Sequence, residues 1–87
     1  MNELNEIKIC TEYSDIVINL NNVATLEFIR NDNFFVIKYS FGKLETFALS
    51  SGNEYDDESL YNLYDYVVDK AEFKRVISRL FDINLHL

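Results

Sequence analysis

The densest group of chemically capable side chains lies between Asn53 and Asp69, in the stretch NEYDDESLYNLYDYVVD. It holds six acids (Glu54, Asp56, Asp57, Glu58, Asp65, Asp69), four tyrosines (Tyr55, Tyr61, Tyr64, Tyr66) and no lysine or arginine. Its local charge of −6 is nearly the whole of the chain's formal −7. Carboxylates at this density can hold a hard cation, exchange protons with a substrate, or face a basic surface. A calcium loop of the EF-hand type needs alternating acids around a central glycine, and here Gly52 precedes the acids. Acid–base catalysis needs an enclosing pocket, which a chain of 87 residues seldom provides.

Spaced negative charge interleaved with tyrosine suits the third use. Carboxylates fixed on a helix imitate a row of phosphates and steer association toward a basic cleft. The expected partner-binding residues are therefore Glu54, Tyr55, Asp56, Asp57, Glu58, Tyr61, Asp65, Tyr66 and Asp69. The expected partner is a protein with a basic surface, such as a nucleic-acid-binding effector; nucleic acid itself would be repelled by the same charge. The plainer explanation is that Asp56, Asp57 and Glu58 open a helix, where carboxylates interact well with the free N–H groups and the helix dipole.

Other reactive side chains offer little. The only histidine, His86, falls in a segment expected to fray, and the only cysteine, Cys10, has no histidine near it in sequence. No glycine-rich phosphate loop and no Cys/His metal spacing occurs, so neither catalysis nor a cofactor or metal is expected. Lys70, Lys74, Arg75 and Arg79 form the one basic cluster, which reads as the solvated side of a helix with pairing between successive turns. A DNA-reading helix-turn-helix is disfavoured by the charge of the whole chain.

The elements that must position these residues fall into two halves. Period-two alternation marks strands at Ile7–Tyr13 and Ile16–Leu20. The β-branched and aromatic runs Val23–Arg30 and Phe34–Phe41 flank Asn31-Asp32-Asn33, a strong hairpin signal, and Gly42-Lys43 turns the chain into Leu44–Leu49. Phe34–Phe41 is apolar on both faces, as befits a central strand. Past Ser50-Ser51-Gly52-Asn53 the spacing becomes helical: Leu60, Leu63, Tyr64, Val67, Val68 and Ala71 form one stripe, while Phe73, Val76, Ile77, Leu80 and Phe81 form another, rotated by well over 90°. A single straight helix cannot bury both. Asp69, with Glu72 three residues on, has the form of a capping box at the point where the phase breaks, which predicts two helices within about 57–82.

The expectation is thus a single α+β domain over residues 1–87: an antiparallel four- or five-stranded β-meander over about 7–49, followed by two helices packed on one face. Its expected core is Ile9, Ile18, Leu26, Phe28, Ile37, Tyr39, Phe47, Leu63, Val67, Ile77 and Leu80. A hydrophobic content of 48% is enough for a folded core, and 87 residues are too few for two. The lone cysteine, and the absence of both a run of about 20 apolar residues and a basic leader segment, predict a cytoplasmic protein without a membrane span.

No stretch matches a family motif residue by residue. By size and charge alone, the profile is that of phage-encoded inhibitors of host defence, including anti-CRISPR proteins, and of immunity proteins for nuclease toxins. The functional expectation is a small acidic protein-binding inhibitor. The alternatives are an oligomerising structural or regulatory module, a homodimer buried through its two-faced strand and its displaced second stripe, or an immunity protein for a nuclease toxin.

Overall fold

The computed structural model describes residues 5–87. The element order is β1 (Glu6–Cys10), β2 (Asp15–Asn19), a 3-10 turn (Leu20–Asn22), β3 (Val23–Ile29), β4 (Phe34–Tyr39), β5 (Leu44–Leu49), α1 (Glu54–Leu63), β6 (Tyr66–Val68) and α2 (Lys70–Phe81). The expected strands and both hairpin turns are present. Asn33 adopts φ 51° at the end of the first turn and Gly42 adopts φ 95° in the second, a left-handed backbone that these two residue types tolerate.

The expected continuous antiparallel meander needs correction in two respects. β1 and β2 form their own two-stranded sheet, and the larger sheet has the order β3-β4-β5-β6. Its last strand runs parallel to β5, so the sheet is mixed. β6 lies inside the stretch that the sequence reads as a helical stripe. Val67 and Val68 happen to sit three and four residues from Tyr64, but Tyr66-Val67-Val68 is a run of strand-forming residues, and pairing with Phe47–Leu49 outweighs the weak local signal. Parallel pairing requires a crossover, and α1 supplies it.

The register sets Phe28, Phe35, Phe47 and Tyr66 in one row across all four strands. Phe35 stacks on Phe47 and Phe47 on Tyr66, each at 4.8 Å between ring centroids. Onto this row α2 lays Phe73 and Phe81, with Phe73 at 6.1 Å from Phe28 and 5.6 Å from Phe35. Ile7, Ile9 and Ile18 of the small hairpin complete the cluster. Of the expected core, Ile9, Ile18, Ile37, Tyr39, Phe47, Val67 and Ile77 are buried, while Leu26, Phe28 and Leu80 are partly buried against the cluster. Leu63 is the exception. It is 73% exposed because its helix ends there and the chain turns away into β6.

Glu45 is the one buried charged residue among the described residues. It projects from β5 on the core face and accepts hydrogen bonds from the hydroxyls of Tyr39 and Tyr66. Burial, and then the carboxylate beside them, push both tyrosines above their ordinary pKa, so both stay protonated as donors.

The helices do not share a sheet face as expected. α2 buries Phe73, Val76 and Ile77 in the core, whereas α1 buries no residue. At the end of α1, Tyr64 packs instead on Phe34, whose side of the sheet is opposite to that of Phe35. The break between the helices is real, and Asp69 caps α2 as its spacing predicts: its Oδ1 accepts the Glu72 N–H at 2.9 Å. No helix among the described residues is long and apolar enough to cross a membrane.

Candidate functional site

Asn53, in an extended conformation, starts α1 by accepting the Tyr55 N–H at 2.9 Å, and the first turn carries Glu54, Asp56 and Asp57. The helix therefore begins a little before the expected start, with its acids in the favourable first turn. Across from it lies the turn between β1 and β2. The expected first strand runs to Tyr13, but the strand ends at Cys10 and Tyr13 is 76% exposed. Thr11 closes the turn through its side chain: Oγ1 accepts the N–H groups of Tyr13 and Ser14 and donates to the Ser14 carbonyl.

Between this turn and α1 is an open cleft of about 410 Å³ lined by Glu12, Tyr13, Glu54, Tyr55, Asp57, Glu58 and Tyr61. The rings of Tyr13 and Tyr61 meet at 5.6 Å with a tilt of 52°, and the Tyr61 hydroxyl donates to Glu12 over a long 3.4 Å. Tyr55 is 85% exposed. Partial burial, followed by the nearby Glu12 carboxylate, raises the Tyr61 pKa, so its hydroxyl remains a neutral donor. A second cavity of about 320 Å³ shares Glu12, Asp57 and Tyr61 with the first and is also lined by Thr11, Ser50, Val67 and Asp69.

The nine expected partner-binding residues separate into three groups. Glu54, Tyr55, Asp57, Glu58 and Tyr61 come together on the cleft. Asp56 is exposed on the same first turn but does not line it. The remaining three have internal duties. Asp65 accepts the N–H and hydroxyl of Thr46 at 2.9 and 3.1 Å, while its own N–H donates to Thr46 Oγ1, tying the start of β6 to β5. Tyr66 stacks on Phe47 and donates to Glu45 at 2.9 Å, and Asp69 caps α2.

Asp57 does both jobs. Its carboxylate accepts the Ser50 hydroxyl at 2.6 Å, the Ser51 N–H at 2.8 Å and the Ser51 hydroxyl at 2.7 Å. Partial burial pushes its pKa up, but these bonds outweigh it and hold the carboxyl below its usual range.

Glu12 and Tyr13 are the site residues that sequence reasoning missed. The signal was the Thr11-x-x-Ser14 pattern, which favours a side-chain-closed turn over continued strand. Neither of the two ion pairs among the described residues, Lys8–Asp15 and Glu72–Arg75, takes up a cleft carboxylate. Nor does any group of three acids, histidines or cysteines among the described residues stand close enough to hold a metal ion. Compared with models of known families, with curated proteins and with solved structures, the chain matches none.

Proposed function

We propose that the chain is a stoichiometric protein-binding inhibitor that lays the acidic, tyrosine-rich surface of α1 and the β1–β2 turn into a basic nucleic-acid groove on its target, as an anti-CRISPR or similar counter-defence protein would. The observation that carries this reading is the convergence of four carboxylates and three tyrosines, from two separate elements, on one open cleft that no lysine or arginine lines. Tyrosine supplies rigid contact area with a polar tip, and unpaired carboxylates supply long-range attraction to a basic surface. A second reading, self-association, draws on β3 as an outer strand and on the half-buried Ile29, Phe34 and Val36 of the sheet face turned away from α2.

The test is inhibition of DNA or RNA binding by a panel of purified effector complexes of bacterial immunity, read by mobility shift. The chain is expected to displace nucleic acid from its target at equal molarity. The triple variant Glu54→Gln, Asp56→Asn, Glu58→Gln is expected to associate more slowly and with a flatter salt dependence while keeping its circular dichroism. Asp57 is left intact because it holds the Ser50-Ser51 loop. Effectors that all retain their nucleic acid in excess inhibitor, alongside a concentration-dependent dimer in sedimentation, would overturn the inhibitor in favour of the self-associating module.

A further inference from the structure

The geometry points to the cleft between the β1–β2 turn and the first turns of α1 as a receptor for a single arginine side chain of the partner protein. This rests on the inhibitor reading and narrows it from a charged surface to a socket. The cleft, of about 410 Å³, is open to solvent and large enough to admit an inserted side chain.

Two independent features select the chemistry of the occupant. One is aromatic. Tyr13 and Tyr55, 76% and 85% exposed, leave apolar ring area in water that no internal packing requires, and Tyr13 meets Tyr61 at 5.6 Å to form one wall. Tyrosine is enriched at interfaces, where its ring supplies contact area and its hydroxyl a polar tip. The other is electrostatic. Glu12, Glu54, Asp57 and Glu58 line the same space, with no cation among the lining residues.

Phosphate and nucleotide ligands would be repelled. A metal ion would need three ligands drawn together, and no such group exists among the described residues. Carboxylates spread around tyrosine rings suit instead an extended organic cation whose charge is delocalised. Guanidinium is flat enough to stack on a tyrosine face and carries five donors that can reach carboxylates on different walls. The lysine ammonium is a compact, strongly hydrated charge that gains less from stacking. Asp57, already bonded to Ser50 and Ser51, fixes the position of the cleft floor, which leaves Glu12, Glu54 and Glu58 to receive the guanidinium.

The experiment titrates the full chain, labelled with nitrogen-15, with three short capped peptides that differ only in a central arginine, citrulline or lysine, and follows backbone amide resonances. Arginine is expected to shift residues 12–13 and 54–61 saturably, lysine more weakly, and citrulline, which is neutral and nearly isosteric, not at all. Tyr13→Ala lies at an exposed turn tip, so folding is not at risk; it should weaken the arginine peptide roughly two- to fivefold, the size of an exposed cation–π contact. Equal shifts with citrulline, equal affinity for lysine, or shifts scattered over Asp32, Asp65 and Asp82 as well would overturn the socket. An inhibitor whose potency against its effector is untouched by Tyr13→Ala would leave the inhibitor reading standing and remove this one.

Discussion

α1 and α2 are of similar length and lie a few residues apart, yet they are built for different ends. α2 sends Phe73, Val76 and Ile77 into the core at full burial, while α1, ten residues long, buries none of its own. α2 is held by packing and finished at both ends: Asp69 caps the start, Arg79 places a positive charge in the last turn, and Asp82 closes the helix in a left-handed conformation at φ 54° with its N–H donating to the Ser78 carbonyl. α1 is held by short polar ties at its start, from Asn53 and from Asp57 to the serines before it, and by Tyr64 on Phe34 at its end. A helix that contributes little buried apolar area is held by these end contacts and by its place as the crossover between β5 and β6, and its exposed side is free to carry acids and tyrosines.

The comparison breaks most sharply in the cores of the two helices. Phe73→Ala is expected to destabilise by about 3–5 kcal/mol, the range for removing a fully buried phenylalanine, and to bring a domain of this size close to unfolding. Leu63→Ala, by contrast, should change stability by less than about 0.5 kcal/mol, since its side chain already lies in water. Urea melts of the two variants check the contrast, and similar midpoints would mean that α1 is packed after all.

A smaller effect sharpens the account of how α2 holds the small hairpin. Glu72 accepts the Cys10 N–H at 2.7 Å and hydrogen bonds from Nε and one terminal nitrogen of Arg75, which in turn donates to the Lys8 carbonyl. The pair spans α2 and β1. The Arg75 hydrogen bonds, working against partial burial, lower the Glu72 pKa from 4.5 to about 2. A carboxyl depressed in the folded state contributes stability above its unfolded pKa and loses it as pH falls. Stability should therefore drop between pH 4.5 and about 2. Allowing for screening around the half-exposed Arg75, the loss is on the order of 2 kcal/mol. Glu72→Gln should remove that part of the pH dependence and lower stability at neutral pH, as denaturation curves across this range would show. A variant with the same acid sensitivity as the parent would place the effect elsewhere.

The smallest effect concerns the boundary between the helices. Asp69→Ala should cost about 1 kcal/mol, because it leaves the Glu72 N–H without its cap. Amide exchange should be faster in the first turn of α2 in that variant, with α1 unchanged.

Much of the fold is legible in the sequence. Alternation marks the first two strands, β-branched and aromatic runs mark the next ones, the Asn31–Asn33 and Gly42 turns mark the hairpins, and the Asp69 spacing marks the start of α2. β6 was not legible, because three residues are too few to show a period and Val67 and Val68 coincide with helical spacing from Tyr64. The cleft was half legible. The run from Glu54 to Tyr61 stands out by composition, but Glu12 and Tyr13 lie more than forty positions away, and nothing in their own neighbourhood pairs them with it.

The sequence by itself determined what depends on near neighbours: strand and helix periods, turn residues, caps, and the concentration of negative charge on one segment. The tertiary structure alone decided what depends on distant pairing. Parallel pairing of β6 with β5 turned α1 into a crossover, took Asp65 and Tyr66 out of the acidic surface by giving them Thr46 and Glu45 as partners, and set the rest of α1 opposite the β1–β2 turn. The physical reason is that a carboxylate looks the same in sequence whether it faces solvent or an N–H across the sheet. Only the fold supplies the donor, and the donor decides which acids remain free to bind.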